Sequence, residues 1–355
     1  MYCRWAFYVQ FSILMQSLGD YFQTRALEYI DLAPGITLPA YFGDWEKEYW
    51  SVRRDSGLFD FSFMHTIEVA GSSAIVALEA FQCRLLRDQA LGTILYSFIV
   101  DEEGRTDLDI TIWRLDVDRF WLIAARPIKD RLVQLIHELH IDLEISEKRS
   151  DYNILAVQGP KSQQVLANTF SCQVNQLPDF FKFKDISFFN RSIRIARLGY
   201  TGEVGYELFV PQQVAKQLWV QLLNLNTGLS ECGLMAANSL RIEAGFLLFA
   251  NELQPPRLLS ELGFERFTQD RVQRPLEKMV GLSFATIQPH LDLEHSADLE
   301  HFVVPTSRAY SPKMQCDIGL GFYDYELAHD KKKALTLELE PVEIMKLPFY
   351  RNDKS

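Results

Sequence analysis

The chain has 355 residues, 48% hydrophobic and 23% charged, which is enough for two or three domains with a sizeable core and excludes disordered or collagen-like sequence. Its net charge of −11, with 36 Lys and Arg against 47 Asp and Glu, excludes a general grip on nucleic acid or on an anionic membrane. The five cysteines, Cys3, Cys83, Cys172, Cys232 and Cys316, are far apart and never spaced as a metal-binding pair, so we expect a reducing, cytoplasmic setting and no metal site.

Trp5 to Met15 is mostly apolar behind a lone Arg4, too short to span a bilayer; we read residues 1–20 as an N-terminal extension, with Met15 an alternative start. From Tyr21 onward helix and strand signals interleave, which predicts an α+β organisation. Glu46 to Asp55 is a charged amphipathic helix that Gly57 is expected to stop. A strand over Thr66 to Val69 precedes a turn at Gly71, an N-cap in Ser72-Ser73 and an apolar helix from Ala74 to Phe81. Strands follow at Ile94 to Val100, Leu108 to Trp113 and Arg119 to Ala124. The first two are joined by a tight turn, Asp101-Glu102-Glu103-Gly104, in which Gly104 takes positive φ. Lys129 to His140 is a helix and Leu143 to Ser146 an extended stretch.

The alternation then repeats, with strands at Asn153 to Gln158, Ile186 to Asn190, Ile193 to Leu198 and Gly205 to Val210. Helices fall at Lys161 to Asn168, Pro211 to Leu225 and Gly233 to Ala244. Two helix-backed antiparallel α+β lobes are therefore expected within residues 21–260. Leu253 to Pro275 reads as a connector, because it carries Pro255, Pro256 and mixed charge. The short strands Met279 to Ala285, Cys316 to Phe322 and Leu335 to Glu340 make residues 261–355 a small all-β unit.

Four islands carry more information than this periodicity: Val52-Arg53-Arg54-Asp55-Ser56-Gly57-Leu58-Phe59-Asp60-Phe61-Ser62, Leu198-Gly199-Tyr200-Thr201-Gly202-Glu203-Val204-Gly205-Tyr206-Glu207, Ala237-Asn238-Ser239-Leu240-Arg241-Ile242-Glu243-Ala244-Gly245 and Pro305-Thr306-Ser307-Arg308-Ala309-Tyr310-Ser311-Pro312. In this order they resemble the folate-binding aminomethyltransferase family: the glycine cleavage T protein, the folate domains of dimethylglycine and sarcosine dehydrogenases, and folate-dependent demethylases. The resemblance covers about Tyr41 to Tyr350. It implies a three-lobed fold around a central channel for tetrahydrofolate, with the tail closed as a small β-barrel.

Asp107 and Asp109 are two apart on a predicted strand and so share a face. The resemblance makes Asp109 the catalytic carboxylate, stabilising positive charge on a folate nitrogen or taking the amine proton; Asp107 is expected outside the site. It makes Glu203, after Tyr200-Thr201-Gly202, the anchor of the pterin N–H donors, Tyr200 a wall of the ring pocket and Met64 a channel-lining residue. Arg241 matches the family's Arg, and its fork suits either a folate carboxylate or a structural acidic partner. His65 reads as a surface strand residue. His290, His295 and His301, among acidic residues, fit no metal spacing and read as a solvated loop.

Three positions depart from the T-protein pattern: Ala124 stands where it has Asn, Asn238 where it has Asp, and Gly104-Arg105 where it has two glycines. They put the glycine cleavage reaction itself in question while leaving the folate pocket mostly intact. The expected activity is tetrahydrofolate-dependent transfer from a small methylated or aminomethyl donor, with a carrier protein as a further partner. The alternatives are a catalytically silent folate-binding protein and an iron–sulfur maintenance protein; the latter's signature Cys is replaced here by Gly199.

Overall fold

The computed structural model describes residues 18–267, 274–284, 302–329, 333–338 and 340–352. The apolar N-terminal stretch with Met15 and the histidines 290, 295 and 301 lie outside them.

In chain order the chain forms α1 (Leu18–Gln23), β1 (Glu28–Ala33), β2 (Ile36–Tyr41), α2 (Trp45–Arg54), β3 (Ser56–Asp60), β4 (His65–Ala70), α3 (Ala74–Phe81), β5 (Ile94–Val100), β6 (Arg105–Asp116) and β7 (Arg119–Ala124). There follow α4 (Lys129–Glu138), β8 (Glu144–Glu147), β9 (Tyr152–Gln158), α5 (Ser162–Phe170), β10 (Phe183–Phe188), β11 (Arg191–Ala196), β12 (Gly205–Pro211), α6 (Gln212–Leu225), β13 (Leu229–Glu231) and α7 (Leu234–Glu243). The tail adds β14 (Arg257–Leu258), β15 (Glu277–Ser283), β16 (Phe302–Ser311), β17 (Cys316–Asp324), β18 (Lys333–Thr336) and β19 (Pro341–Met345).

Two compact units are built from discontinuous stretches, Met1–Ile67, Gly92–Ile94 and Ser146–Ala237 in the first, and Glu68–Leu91, Leu95–Ile145 and Asn238–Ser355 in the second.

The first unit holds a six-stranded sheet, β10-β11-β12-β9-β3-β13, antiparallel except where β13 runs parallel to β3. Leu58, Leu155, Val157, Leu208 and Val210 pack one face of it against Leu218, Trp219 and Leu222 of α6 and Val165 and Leu166 of α5. Strand alternation therefore sends Phe59, Ala156, Glu207 and Phe209 to the opposite face. Helix α2 starts at Asp44, whose carboxylate accepts from the N–H groups of Glu46 and Lys47 at 3.1 and 3.3 Å. It carries acids in its first turn and Arg53 and Arg54 in its last, as its dipole favours. Gly57 does not stop this helix: it lies inside β3, where a Cβ would come within 2.5 Å of Val52 Cγ2 and 2.7 Å of Cys232 Sγ. It is glycine because the helix and the thiol press on the strand.

In the second unit β6 pairs with β7 from Ile110↔Ala124 to Asp116↔Arg119, and β5 and β14 also pair with β6. The β5–β6 turn is tied by the Arg105 N–H to Asp101 Oδ1 at 2.7 Å, with Gly104 at φ +76. The expected connector is instead packed: Leu253, Leu259 and Leu262 are buried, because the apolar residues between its prolines and charges supply a buried face. Strands β15-β17-β16-β18-β19 close a barrel, with Val280, Leu282, Val303, Tyr323 and Val342 inside. Sequence patterning missed β16 because Pro305 interrupts it; the proline sits at a register shift where the ladder tolerates a missing N–H.

Candidate active site

Asp109 lies on β6, in the second unit. The Tyr96 hydroxyl on β5 donates to its Oδ2 at 3.0 Å, and among the described residues Tyr96 is the one side chain bonded to it. The carboxyl keeps some contact with solvent, but the protein around it strips enough water to push its pKa up, against the smaller lowering effect of the Tyr96 bond. Asp107, on the same strand, is treated differently: Arg126 and Arg131 bind its two oxygens at 2.9 and 3.0 Å. One carboxylate is neutralised by two cations, while the other is held by a neutral donor and keeps its chemistry available.

The Tyr200 to Glu203 turn belongs to the first unit and is locked from inside. Arg53 Nη1 donates to the Thr201 carbonyl and to Glu203 Oε1, both at 2.9 Å, and the two charged side chains are 3% and 1% exposed. Gln158 accepts from the Thr201 hydroxyl at 3.1 Å and lies so close that a Cβ on Gly199 or Gly205 would meet its amide at 2.0 or 2.2 Å. Glu203 is thus already neutralised by a buried cation, and this geometry weighs against its taking a pterin. Tyr200 and Met64 are partly buried. His65 is buried, not a surface residue as read from the sequence: Nδ1 lies 3.3 Å from Glu147 and Nε2 3.0 Å from Arg149, and burial lowers its pKa.

Arg241, on α7 in the second unit, is 1% exposed and spends its guanidinium on protein acceptors. It donates to Asn238 at 2.9 Å, the Phe246 carbonyl at 3.2 Å, Glu252 at 2.8 Å and the Ser307 hydroxyl at 2.6 Å. Of the two roles open to it in the sequence, the geometry supports the structural acidic partner, with Glu252 in place of the neighbouring Glu243. Glu243 is itself bonded by the Ser311 hydroxyl.

Sequence reasoning passed over Glu207. It is 5% exposed on the face of β12 opposite the apolar core, opposite Ala156 on β9 and Ala196 on β11. No described residue bonds its carboxyl, and burial alone pushes its pKa to about 8. Its burial was not legible in the chain, because it depends on the pairing of β12 with β9 and β11. Adjacent N–H donors, such as those a reduced pterin offers, suit in chemistry a buried carboxyl that no described residue bonds. Among the described residues there is no metal-ligating cluster, and no helix is long and apolar enough to cross a membrane.

A helix-backed sheet, a closed five-stranded barrel and desolvated carboxyls on strands make this a mixed α+β protein. The family profile described as GCVT N-terminal domain matches residues 20–271, and the chain belongs to this family of folate-dependent one-carbon transferases. It is 27% identical over 344 residues to an aminomethyltransferase of Alkaliphilus metalliredigens, covering 90% of this chain and 93% of the relative. It is 31% identical over 252 residues to one from Clostridium botulinum, covering 69% and 67%. The glycine cleavage system aminomethyltransferase T of Bartonella henselae has a similar fold, with a TM-score of 0.76 at 23% identity over 93% of this chain and 96% of that one.

Proposed function

We propose that the protein moves a one-carbon unit from a small methylated or aminomethyl donor to tetrahydrofolate, with Asp109 as the catalytic carboxylate. When bound, tetrahydrofolate supplies the amine nitrogen that accepts the unit. The observation that carries the reading is the contrast on β6: Asp109 is desolvated and its one side-chain partner among the described residues is a neutral hydroxyl, whereas Asp107 is cancelled by two arginines. A desolvated carboxylate stabilises a developing ammonium charge more strongly than one in water, and it can accept the amine proton. Glu203 and Arg241 hold their surrounding loops in this reading.

A silent folate-binding protein is the other reading, and it predicts binding without turnover. The iron–sulfur maintenance reading is opposed at Gly199, where a Cys side chain would collide with Gln158. The test is to supply tetrahydrofolate with methylated amines, sulfonium compounds, aryl methyl ethers and aminomethyl donors while following methyl- and methylene-folate by mass. Turnover of one class supports the proposal; folate binding without turnover of any donor would give the silent protein instead.

A further inference from the structure

Asp109 needs more than a location: the plane of its carboxylate must also be fixed. The terminal torsion of an aspartate is soft and roughly two-fold, so an unheld carboxylate samples a wide arc. Tyr96 restrains it, donating from Oη to Oδ2 at 3.0 Å. The tyrosine ring is itself held, with its centroid 5.2 Å from that of Phe98 in an edge-on contact and 5.9 Å from that of Phe264. Arg84 binds the Tyr96 carbonyl at 3.1 Å, fixing the strand behind the ring. The donor is neutral, so it orients the carboxylate without cancelling the charge, as the arginines on Asp107 do.

We propose that Tyr96 is a positioning residue for the transfer reaction, its hydroxyl fixing Asp109 Oδ2 so that Oδ1 is presented in one orientation to the reacting amine. This rests on the catalytic role proposed above for Asp109. A bond to a charged acceptor that is used in the transition state is worth on the order of tenfold to a hundredfold in rate.

The test is a double-mutant cycle of Tyr96→Phe and Asp109→Asn, with the carboxyl carbon of Asp109 observed by NMR and assigned by its loss in Asp109→Asn. Tyr96→Phe keeps the ring and its packing. We expect it to lower kcat tenfold to a hundredfold while the KM for tetrahydrofolate stays within about twofold, to shift the Asp109 carboxyl resonance, and to cost nothing further in the Asp109→Asn background. Equal loss in both backgrounds, a loss confined to KM, or an unmoved resonance would overturn the proposal. Should the wild type turn over no donor, the catalytic reading of Asp109 fails by itself; the resonance then decides whether Tyr96 holds the carboxylate at all.

Discussion

Arg53 and Glu203, 150 residues apart in sequence, form a buried ion pair at 2.9 Å. The pair joins the first of the four sequence islands to the second, and the same arginine also holds the Thr201 carbonyl. Breaking a buried pair from one side strands the other charge, at a cost of roughly 3–5 kcal/mol. Glu203→Gln should therefore lower the unfolding free energy by several kcal/mol, measured by urea titration, while the variant that remains folded keeps its affinity for tetrahydrofolate. Lost affinity at unchanged stability would return Glu203 to the role of pterin anchor.

Glu207 makes a prediction of opposite sense in pH. Its folded pKa of about 8 lies above the ordinary 4.5, so the folded state holds a proton that the unfolded chain has released across that interval. The stability it permits is fully present below about 4.5 and is lost as pH rises towards 8. Glu207→Gln removes this penalty, so the variant should gain on the wild type between pH 5 and pH 8 by ~3–5 kcal/mol, at ~1.4 kcal/mol per pH unit. Paired urea titrations at the two values measure it, and a constant difference would show that Glu207 has a partner.

Gly199 offers a steric test of the same turn. With Gln158 lying where a Cβ would go, Gly199→Ala must push the amide away from Thr201, and overpacking of this kind costs about 1–3 kcal/mol. Gly199→Ala combined with Gln158→Ala should recover part of the loss, as read from the melting temperatures of the three variants. No recovery would mean that the glycine is needed for its backbone alone.

Local patterns were readable in the chain and distant pairings were not. The helix Ala74–Phe81, the strand Arg119–Ala124 and the turn at Gly104 follow from periodicity and turn chemistry, and the structure has them at those residues. Gly57 misled because a glycine after a helix signals a stop, whereas here it clears space for Val52 and Cys232, a reason visible only once the fold brings them together. The four islands marked the family correctly, yet Arg53, Glu203 and Arg241 are conspicuous in them as charges buried in pairs. Glu207 stood in the second island unremarked, because burial without a partner depends on which strands lie beside it. That Asp107 and Asp109 share a face was legible from alternation along one strand, although nothing in the spacing says that two arginines reach one of them and a tyrosine the other.

That difference sets the last prediction. Asp109→Asn keeps the shape and removes the charge, so the electrostatic partner of the developing ammonium is lost while the fold and the bond partner Tyr96 remain. Loss of one preorganised electrostatic partner costs about 2.7–4 kcal/mol in the barrier, or on the order of a hundredfold to a thousandfold in rate. Asp107→Asn removes the counter-charge of Arg126 and Arg131, whose side chains are 34% and 44% exposed, so water takes over much of the solvation. It should cost about 1 kcal/mol or less in stability and little in rate. Turnover, tetrahydrofolate affinity and urea stability measured on both variants separate the outcomes: a large loss of turnover in Asp109→Asn alone, with affinity retained, supports its catalytic role. Equal losses in the two would mean that the strand carries its acids for structure.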